Sequence, residues 1–178
     1  MILLMGIAGA GKGTQSKLLS DKDGFNIVST GDLLRVYGSD NQHRRMHKGE
    51  ILGDQEVTDL LERALSEIPD QNNVILDGYP RRISQAQWLL DQQKEGRFQI
   101  SCVIHLVASH EAVRARLLER SRPDDHDDGI EQRFSEYERD TVPILDYLAG
   151  AGVKVNEVNA EQPVESVHAE IVHLLKEV

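Results

Sequence analysis

The sequence predicts an α/β protein with one domain, in which a five-stranded parallel sheet is flanked by helices. Two observations lead to this prediction. Five short apolar segments alternate along the chain with segments whose apolar residues have helical spacing, and alternating elements of this kind build a parallel sheet covered on both faces. The chain has 178 residues, which suits one domain with a single core.

The expected elements follow in order from apolar runs and from the polar or glycine residues that bound them. Short buried strands are expected at residues 2–7, 27–28, 74–76, 101–107 and 153–158. Helices are expected at 12–21, from 33 onward, at 57–68, 84–93 and 109–120, then as one long helix that ends near 147, and at 164–178. Residues 38–55 contain few apolar side chains, so they predict a small peripheral insertion.

Composition and charge exclude several classes of protein. The net charge is −10, whereas nucleic-acid binders usually carry a basic face, so no nucleic-acid partner is expected. One cysteine cannot form an internal disulfide framework or a four-cysteine zinc site. No apolar run approaches the roughly 20 residues of a membrane span, and the first residues lack the pattern of a secretion signal. We therefore expect a cytoplasmic protein without a membrane partner.

A glycine-rich segment carries the strongest functional signal. It runs from Gly6 to Thr14 as GIAGAGKGT and lies between the first predicted strand and the first predicted helix, the context that a phosphate-binding loop requires. Glycines let backbone N–H groups point inward, and the helix adds its positive end. Lys12 supplies a full positive charge for the β- and γ-phosphates. A hydroxyl usually follows the lysine directly, but here Gly13 precedes it.

Five motifs in order resemble those of the nucleoside monophosphate kinases, and of the adenylate kinases in particular. They are Gly11–Gln15 (GKGTQ), Ser29–Arg35 (STGDLLR), Asp77–Arg81 (DGYPR) with Gln85, Arg116–Arg120 (RLLER), and Arg122–Asp125 (RPDD) with Arg133 and Tyr137. The resemblance spans nearly the whole chain and implies the P-loop NTPase fold of this kinase family. It also implies one kinase domain over residues 1–178, an AMP-binding insertion at 30–57 and a vestigial lid segment at 121–128.

The same resemblance implies the reversible reaction ATP + AMP = 2 ADP, with Mg²⁺ as cofactor and a role in adenine nucleotide homeostasis. The second pKa of a phosphate monoester is about 6, so the AMP phosphate is already mostly dianionic at neutral pH. No general base is needed. Catalysis therefore has to come from positioning and charge neutralisation in a dry site.

The resemblance assigns the site residues in four groups. Those expected to bind ATP are Gly9, Ala10, Gly11, Lys12, Gly13, Thr14, Arg116 and Gln162. Those expected to bind AMP are Thr30, Arg35, Gly78, Arg81, Gln85, Arg122 and Arg133. The catalytic residues expected around the transferred group are Lys12, Arg120, Arg122, Arg133 and Asp77. Magnesium is expected to bind through water near Thr14 and Asp77, and no zinc site is expected.

Structural alternatives accompany these assignments. The arginines could form surface ion pairs on their helices, and Asp77 could be a helix N-cap. Asp32 is expected to cap the helix that begins at Leu33. The acidic run 124–128 fits the N-terminus of the helix after it better than a metal site, because carboxylates stabilise that end.

Two other functions are weighed against an adenylate kinase. A UMP/CMP kinase would share the fold, but such enzymes tend to have alanine where Thr30 stands and asparagine near Gln85. The Gln85 amide can pair with the N1 and N6 edge of adenine, so both residues favour AMP. The alternative from another class is a catalytically silent nucleotide-binding sensor.

The sequence departs from the resembling family at the lid. Only Ser121 separates Arg120 from Arg122, whereas short-lid adenylate kinases have a glycine-containing loop between these arginines. Lid closure normally excludes water from the phosphates, so we expect weaker ATP retention or more hydrolysis of ATP without AMP. The resemblance implies a monomer, and the alternative is an oligomer in which a neighbouring subunit covers the phosphates.

Overall fold

The sheet of the computed structural model, which describes residues 1–47, 53–120, 122 and 125–177, has five strands within this range. They are β1 Ile2–Gly6, β2 Asn26–Ser29, β3 Val74–Asp77, β4 Cys102–Val107 and β5 Val155–Asn159. Their order is β2-β3-β1-β4-β5, and every neighbouring pair is parallel. The predicted five-stranded parallel sheet is confirmed, and each strand lies within two residues of its expected bounds.

Helices connect the strands and cover both faces of the sheet. They are α1 Lys12–Asp23, α2 Thr30–Tyr37, α3 Asp40–His47, α4 Asp54–Ser66, α5 Ile83–Lys94, α6 His110–Arg120, α7 Asp127–Glu136, α8 Val142–Gly150 and α9 Val164–Leu175. A 3₁₀ turn, Gln71–Asn73, precedes β3, and a π-helical segment, Tyr137–Thr141, joins α7 to α8. The prediction of one long helix ending near 147 is therefore wrong. A π-helical turn and the missing N–H of Pro143 interrupt it.

Two apolar cores lie on opposite faces of the sheet. Successive side chains of a strand point to opposite faces, so Leu3 of β1 packs in the core that contains Leu61 and Leu148, and Leu4 packs in the core that contains Leu117. All four side chains are buried. The central strand is apolar along its length because both of its faces are covered.

The positions of the two expected subdomains are partly described. Helices α2 and α3 and the first residues of α4 fall within the predicted insertion at 30–57, of which residues 48–52 lie outside the described range. In the predicted lid segment, residues 121, 123 and 124 also lie outside it. Among the described helices, none has the length and apolar character needed to cross a bilayer.

The sheet topology determines where a ligand can bind. From β1 the chain passes over β3 to reach β2, and from β3 it passes over β1 to reach β4. Ligands of open α/β sheets bind at the carboxyl ends of the strands, where the strand order reverses in this way. The β1–β3 pairing sets Asp77 opposite Leu4, so this carboxylate lies at the crevice beside the glycine-rich loop.

Candidate active site

The glycine-rich loop forms a tight turn between β1 and α1. The N–H of Ala10 donates to the carbonyl oxygen of Ile7 at 3.1 Å, and Gly9 has a φ of +89°, in the left-handed region that favours glycine. A Cβ on Gly9 would lie 2.9 Å from Cγ of Leu117 on α6. The strand, loop and helix therefore follow one another as the sequence predicts, and the loop is packed closely against α6.

Lys12, the first residue of α1, reaches back across the loop. Its Nζ donates hydrogen bonds to the carbonyl oxygens of Gly6 at 2.7 Å and Ile7 at 3.0 Å. Burial lowers the pKa of Lys12 to about 8, although the Asp77 carboxylate acts in the opposite direction. A mobile cation thus lies over the loop, with neutral carbonyl partners that an anion could replace.

Asp77 ends β3 with its side chain almost buried, at 9% exposure. Burial raises the pKa of its carboxyl group, while the positive charges of Lys12 and Arg81 favour the ionised form. The next helix, α5, begins at Ile83 with Arg82 in the N-cap position. The alternative that Asp77 caps a helix is therefore wrong, and its carboxylate is directed at cations.

One buried carboxylate, that of Asp125, holds three arginines together. Arg120 donates to it through Nε at 2.8 Å and through Nη2 at 2.7 Å, a bidentate contact. Arg133 donates to the same carboxylate at 3.0 Å, and so does the backbone N–H of Arg122 at 3.0 Å. The side chain of Asp125 has no exposed surface. These bonds lower the pKa of Asp125, against the effect of burial.

The guanidinium group of Arg133 is surrounded mostly by like charges. Burial, followed by the charges of Arg120, Arg81 and Arg122, lowers its pKa to about 10. Burial and the nearby Arg120 also lower the pKa of Arg122. Cations held this close together favour an anion between them, so the cluster is prepared for phosphate oxygens.

The surface ion-pair alternative holds for a different arginine of α6. Arg114 pairs with Asp127 and Glu131, and all three side chains are exposed. Arg120, two turns further along the helix, instead bonds to the buried Asp125. The sequence did not distinguish these two environments by spacing alone; only the motif around Arg120 did.

A single cavity of about 930 Å³ joins the loop to the arginines. Its lining includes Gly9, Ala10, Gly11, Lys12, Gly13, Thr14, Arg35, Asp77, Gly78, Arg81, Arg116, Arg120, Arg122, Arg133 and Gln162. The structure therefore brings most of the predicted site residues to one cleft. Thr30 and Gln85 are not among its described lining residues, because both are buried beside it.

The side of the cleft near β2 is organised around the Gly78 carbonyl. Nε of Arg81 donates to this oxygen at 2.9 Å, and so does Oγ1 of Thr30 at 2.9 Å. Arg35 on α2 forms an ion pair with Asp32 one turn earlier. The N-cap of α2 is Ser29, whose hydroxyl accepts from the N–H of Asp32. The expectation that Asp32 is the cap is therefore wrong, because Asp32 lies inside the first turn.

Gln85 on α5 has both ends of its amide engaged. Its Oε1 accepts from the backbone N–H of Arg81 at 2.7 Å, and its Nε2 donates to Oδ1 of Asp54 at 3.1 Å. The side chain is only 2% exposed. A base that reaches this amide must displace the groups that now cover it.

The far end of the cleft, near β5, holds the remaining predicted residues. Arg116 is half-buried and donates through Nη2 to the carbonyl oxygen of Ala160 at 2.9 Å. Gln162 donates to Oε2 of Glu170 at 2.8 Å and to the carbonyl oxygen of Asn159 at 3.2 Å. Its side chain is therefore bound to its own segment, which leaves the backbone of that segment as the surface facing the cleft.

Sequence reasoning missed the roles of Asp125 and Asp54. Asp125 was grouped with the acids expected to favour the next helix, but the N-cap of α7 is His126, whose Nδ1 accepts from the N–H of Gly129 at 3.1 Å. Asp127 and Asp128 do lie in the first turn, as expected. The signal for Asp125 was its position among arginines of one motif. No local signal distinguishes Asp54 from other acids that begin helices.

The fold and this cleft define a nucleoside monophosphate kinase, a phosphotransferase with a phosphate-binding loop. The family model described as adenylate kinase matches residues 4–153. An adenylate kinase of Corynebacterium urealyticum is 34% identical over 172 residues, covering 93% of each chain. Adenylate kinase 1 of a Nostoc species is 35% identical, covering 96% of this chain and 95% of that one. An adenylate kinase of Brucella ovis is 33% identical, with 98% and 97% covered. The chain belongs to the adenylate kinase family.

Proposed function

We propose that this cleft binds ATP and AMP side by side and transfers the γ-phosphoryl group between them, giving two molecules of ADP. One observation carries the proposal: a single cavity is lined both by the loop with Lys12 and by the arginines from three separate elements. The chemistry of two polyanions meeting in line demands such an arrangement.

The proposed mechanism assigns charge neutralisation to side chains. A phosphate oxygen of AMP attacks the γ-phosphorus of ATP, and the bond from that phosphorus to the bridging oxygen of ADP breaks. Lys12 would leave the carbonyls of Gly6 and Ile7 to contact the β- and γ-phosphates. Arg120, Arg122 and Arg133 would neutralise the transferred group. No proton has to be removed from the attacking phosphate, so no general base is assigned.

The nucleotide contacts follow the two sides of the cleft. The backbone of Gly9 to Thr14 would cradle the ATP phosphates, with Arg116 and the segment of Gln162 at its base. Arg35 and Arg81 would hold the AMP phosphate beside Gly78, together with Arg122 and Arg133. Thr30 and Gln85 would meet the acceptor nucleoside.

Magnesium is part of the proposal, and the donor set fits it. Thr14 and Asp77 line the same cavity and offer hard oxygen atoms, which Mg²⁺ prefers, often through retained water. The described residues contain no group of three or more His, Cys, Asp or Glu side chains that could hold a metal. Magnesium held mainly by nucleotide phosphates and water needs no such group. When bound, the ion would neutralise charge on the phosphates.

The proposal also covers the setting of the reaction. A cytoplasmic location agrees with a free, buried thiol at Cys102, since reducing compartments preserve thiols. A monomer with ATP, AMP and ADP as its partners is proposed, without a nucleic-acid or membrane partner. The insertion at 30–57 is proposed as the AMP side and 121–128 as what remains of a lid.

The test is an acceptor comparison. Product ADP or the corresponding diphosphate is measured with Mg-ATP and AMP, CMP or UMP, and AMP should give the highest kcat/KM. Arg81→Ala should reduce kcat/KM for AMP by about 10²–10³-fold, by analogy with loss of a transition-state donor. Arg114→Ala, a surface arginine paired on α6, is the matched control and should change it less than twofold.

Two results would contradict the proposal. A higher kcat/KM for CMP or UMP than for AMP would favour a UMP/CMP kinase. Tight ATP binding without measurable turnover with any acceptor would favour a silent sensor.

A further inference from the structure

The Gln85 amide is held in one orientation by two partners of opposite kind. At its oxygen end lies the backbone N–H of Arg81, which can only donate, at 2.7 Å. At its nitrogen end lies the carboxylate of Asp54, which can only accept when ionised, at 3.1 Å. Turning the amide over would place an NH₂ group against the N–H and an oxygen against the carboxylate. Both hydrogen bonds would become repulsive contacts.

Asp54 is itself held against the start of α5. The Ser84 hydroxyl donates to Oδ2 of Asp54, and Nη1 of Arg82 lies 3.7 Å from Oδ1. Asp54 is the first residue of α4, where a carboxylate is favoured by the positive end of the helix. The carboxylate therefore connects α4 to the first turn of α5 and has a fixed position from which to hold Gln85.

A fixed amide presents a fixed hydrogen-bond pattern to a base. With one N–H used by Asp54 and one lone pair used by Arg81, Gln85 retains one donor hydrogen and one acceptor lone pair. Adenine presents the complement, an acceptor at N1 and a donor at the N6 amine. Hypoxanthine and guanine present the reverse, a donor at N1 and an acceptor at O6, and uracil is reversed in the same way.

We propose that Asp54 is a specificity-determining residue that acts through Gln85, by fixing the donor and acceptor ends of its amide so that bases with a 6-oxo or 4-oxo edge are rejected. Asp54 is a positioning residue, since it need not touch the substrate. The inference rests on the proposed role of Gln85 in meeting the acceptor base. Cytosine has the same polarity as adenine, so this device separates AMP from IMP, GMP and UMP, and CMP has to be rejected by size.

The experiment compares AMP with IMP, which differ at the base edge and share the ribose and phosphate. In Asp54→Asn the partner can turn its own amide, so a turned Gln85 meets one repulsive contact in place of two. The ratio of kcat/KM for AMP to that for IMP should therefore fall by about tenfold or more, the effect of a hydrogen bond to a charged group. KM for ATP and kcat with saturating AMP should remain within about threefold, since neither depends on this edge.

The matched control is Asp59→Asn on the same helix. Asp59 is an acid that accepts from the exposed Gln55, so its neutralisation removes the same charge without touching Gln85. It should leave the AMP to IMP ratio within about twofold. An equal fall in both variants would mean that charge on α4, rather than the amide orientation, sets selectivity, and it would overturn the inference.

Gln85→Ala separates this inference from the proposed function. If Gln85→Ala leaves the AMP to IMP ratio unchanged, Gln85 does not read the base, and both its proposed role and the inference fail. If Gln85→Ala lowers the ratio but Asp54→Asn does not, Gln85 keeps its role and the inference about Asp54 alone is overturned.

A measurement on the unaltered protein guards against a variant that does not fold. Purine riboside monophosphate keeps the N1 acceptor but lacks the amine, whereas IMP reverses both positions. With a fixed amide, kcat/KM should fall in the order AMP, purine riboside monophosphate, IMP. An amide free to turn would accept IMP better than the analogue that lacks a partner, which would contradict the inference.

Discussion

The glycine-rich loop and the arginine cluster face each other across one cleft but are built in different ways. The loop is made from backbone: a strand end, glycines and the first N–H groups of α1. The cluster is made from side chains that meet at the single buried carboxylate of Asp125. The comparison teaches that the loop depends on space for the main chain, whereas the cluster depends on one charged group.

The largest effect is expected where a single side chain supplements the backbone of the loop. Lys12→Met should lower kcat by about 10²–10³-fold, because its ammonium would neutralise charge on the phosphates during transfer. Steady-state ADP formation measures this. Lys17→Met, on the same helix and in an exposed pair with Asp21, should stay within twofold. Equal losses in the two variants would remove the distinction between Lys12 and ordinary surface charge.

The next effect tests the side-chain half of the comparison. Asp125→Asn should lower kcat by about 10–100-fold, the range for groups that orient residues in contact with substrate, because Arg120 and Arg133 lose their shared ionic partner. Asp127→Asn, an exposed acid paired with Arg114, is the control. An unchanged kcat in Asp125→Asn would show that the arginines keep their positions without this carboxylate.

Backbone space in the loop should have a smaller effect, measured as stability. Gly9→Ala should lower the free energy of unfolding by about 1–3 kcal/mol, because alanine is strained at a φ of +89° and its Cβ would press on Leu117. In Gly13→Ala, the added Cβ meets no atom within 4 Å, so its stability should change by less than about 0.5 kcal/mol. Denaturant titration compares the two, and equal losses would indicate a general effect of glycine replacement.

The smallest expected effect is a side reaction. Only six residues separate the end of α6 from the start of α7, and Arg122 is exposed, so water should reach the phosphates more easily than under a closing lid. Phosphate release from Mg-ATP without AMP should therefore be detectable, at a rate well below that of transfer. Negligible release together with ordinary ATP affinity would contradict the expectation from the shortened segment.

Local signals explain how much the sequence could predict. The apolar run before Gly6 and the residues up to Thr14 are continuous in the chain, so the strand, the loop and the start of α1 could be predicted together. Asp125 could not be placed in this way, because its partners come from the end of α6, from the connection and from α7. The contact between Asp54 and Gln85 joins residues 31 apart, which no local pattern records.

The π-helical segment Tyr137–Thr141 has a consequence for how this region tolerates change in length. It closes wider i→i+5 turns between two ordinary helices, so it accommodates a residue that a regular α-helix would lack. Deleting one residue there would turn α8 by about 100° about its axis. Ile144 and Leu148, which are fully buried, would then face outward, so this stretch should accept substitutions far more readily than a shortened chain.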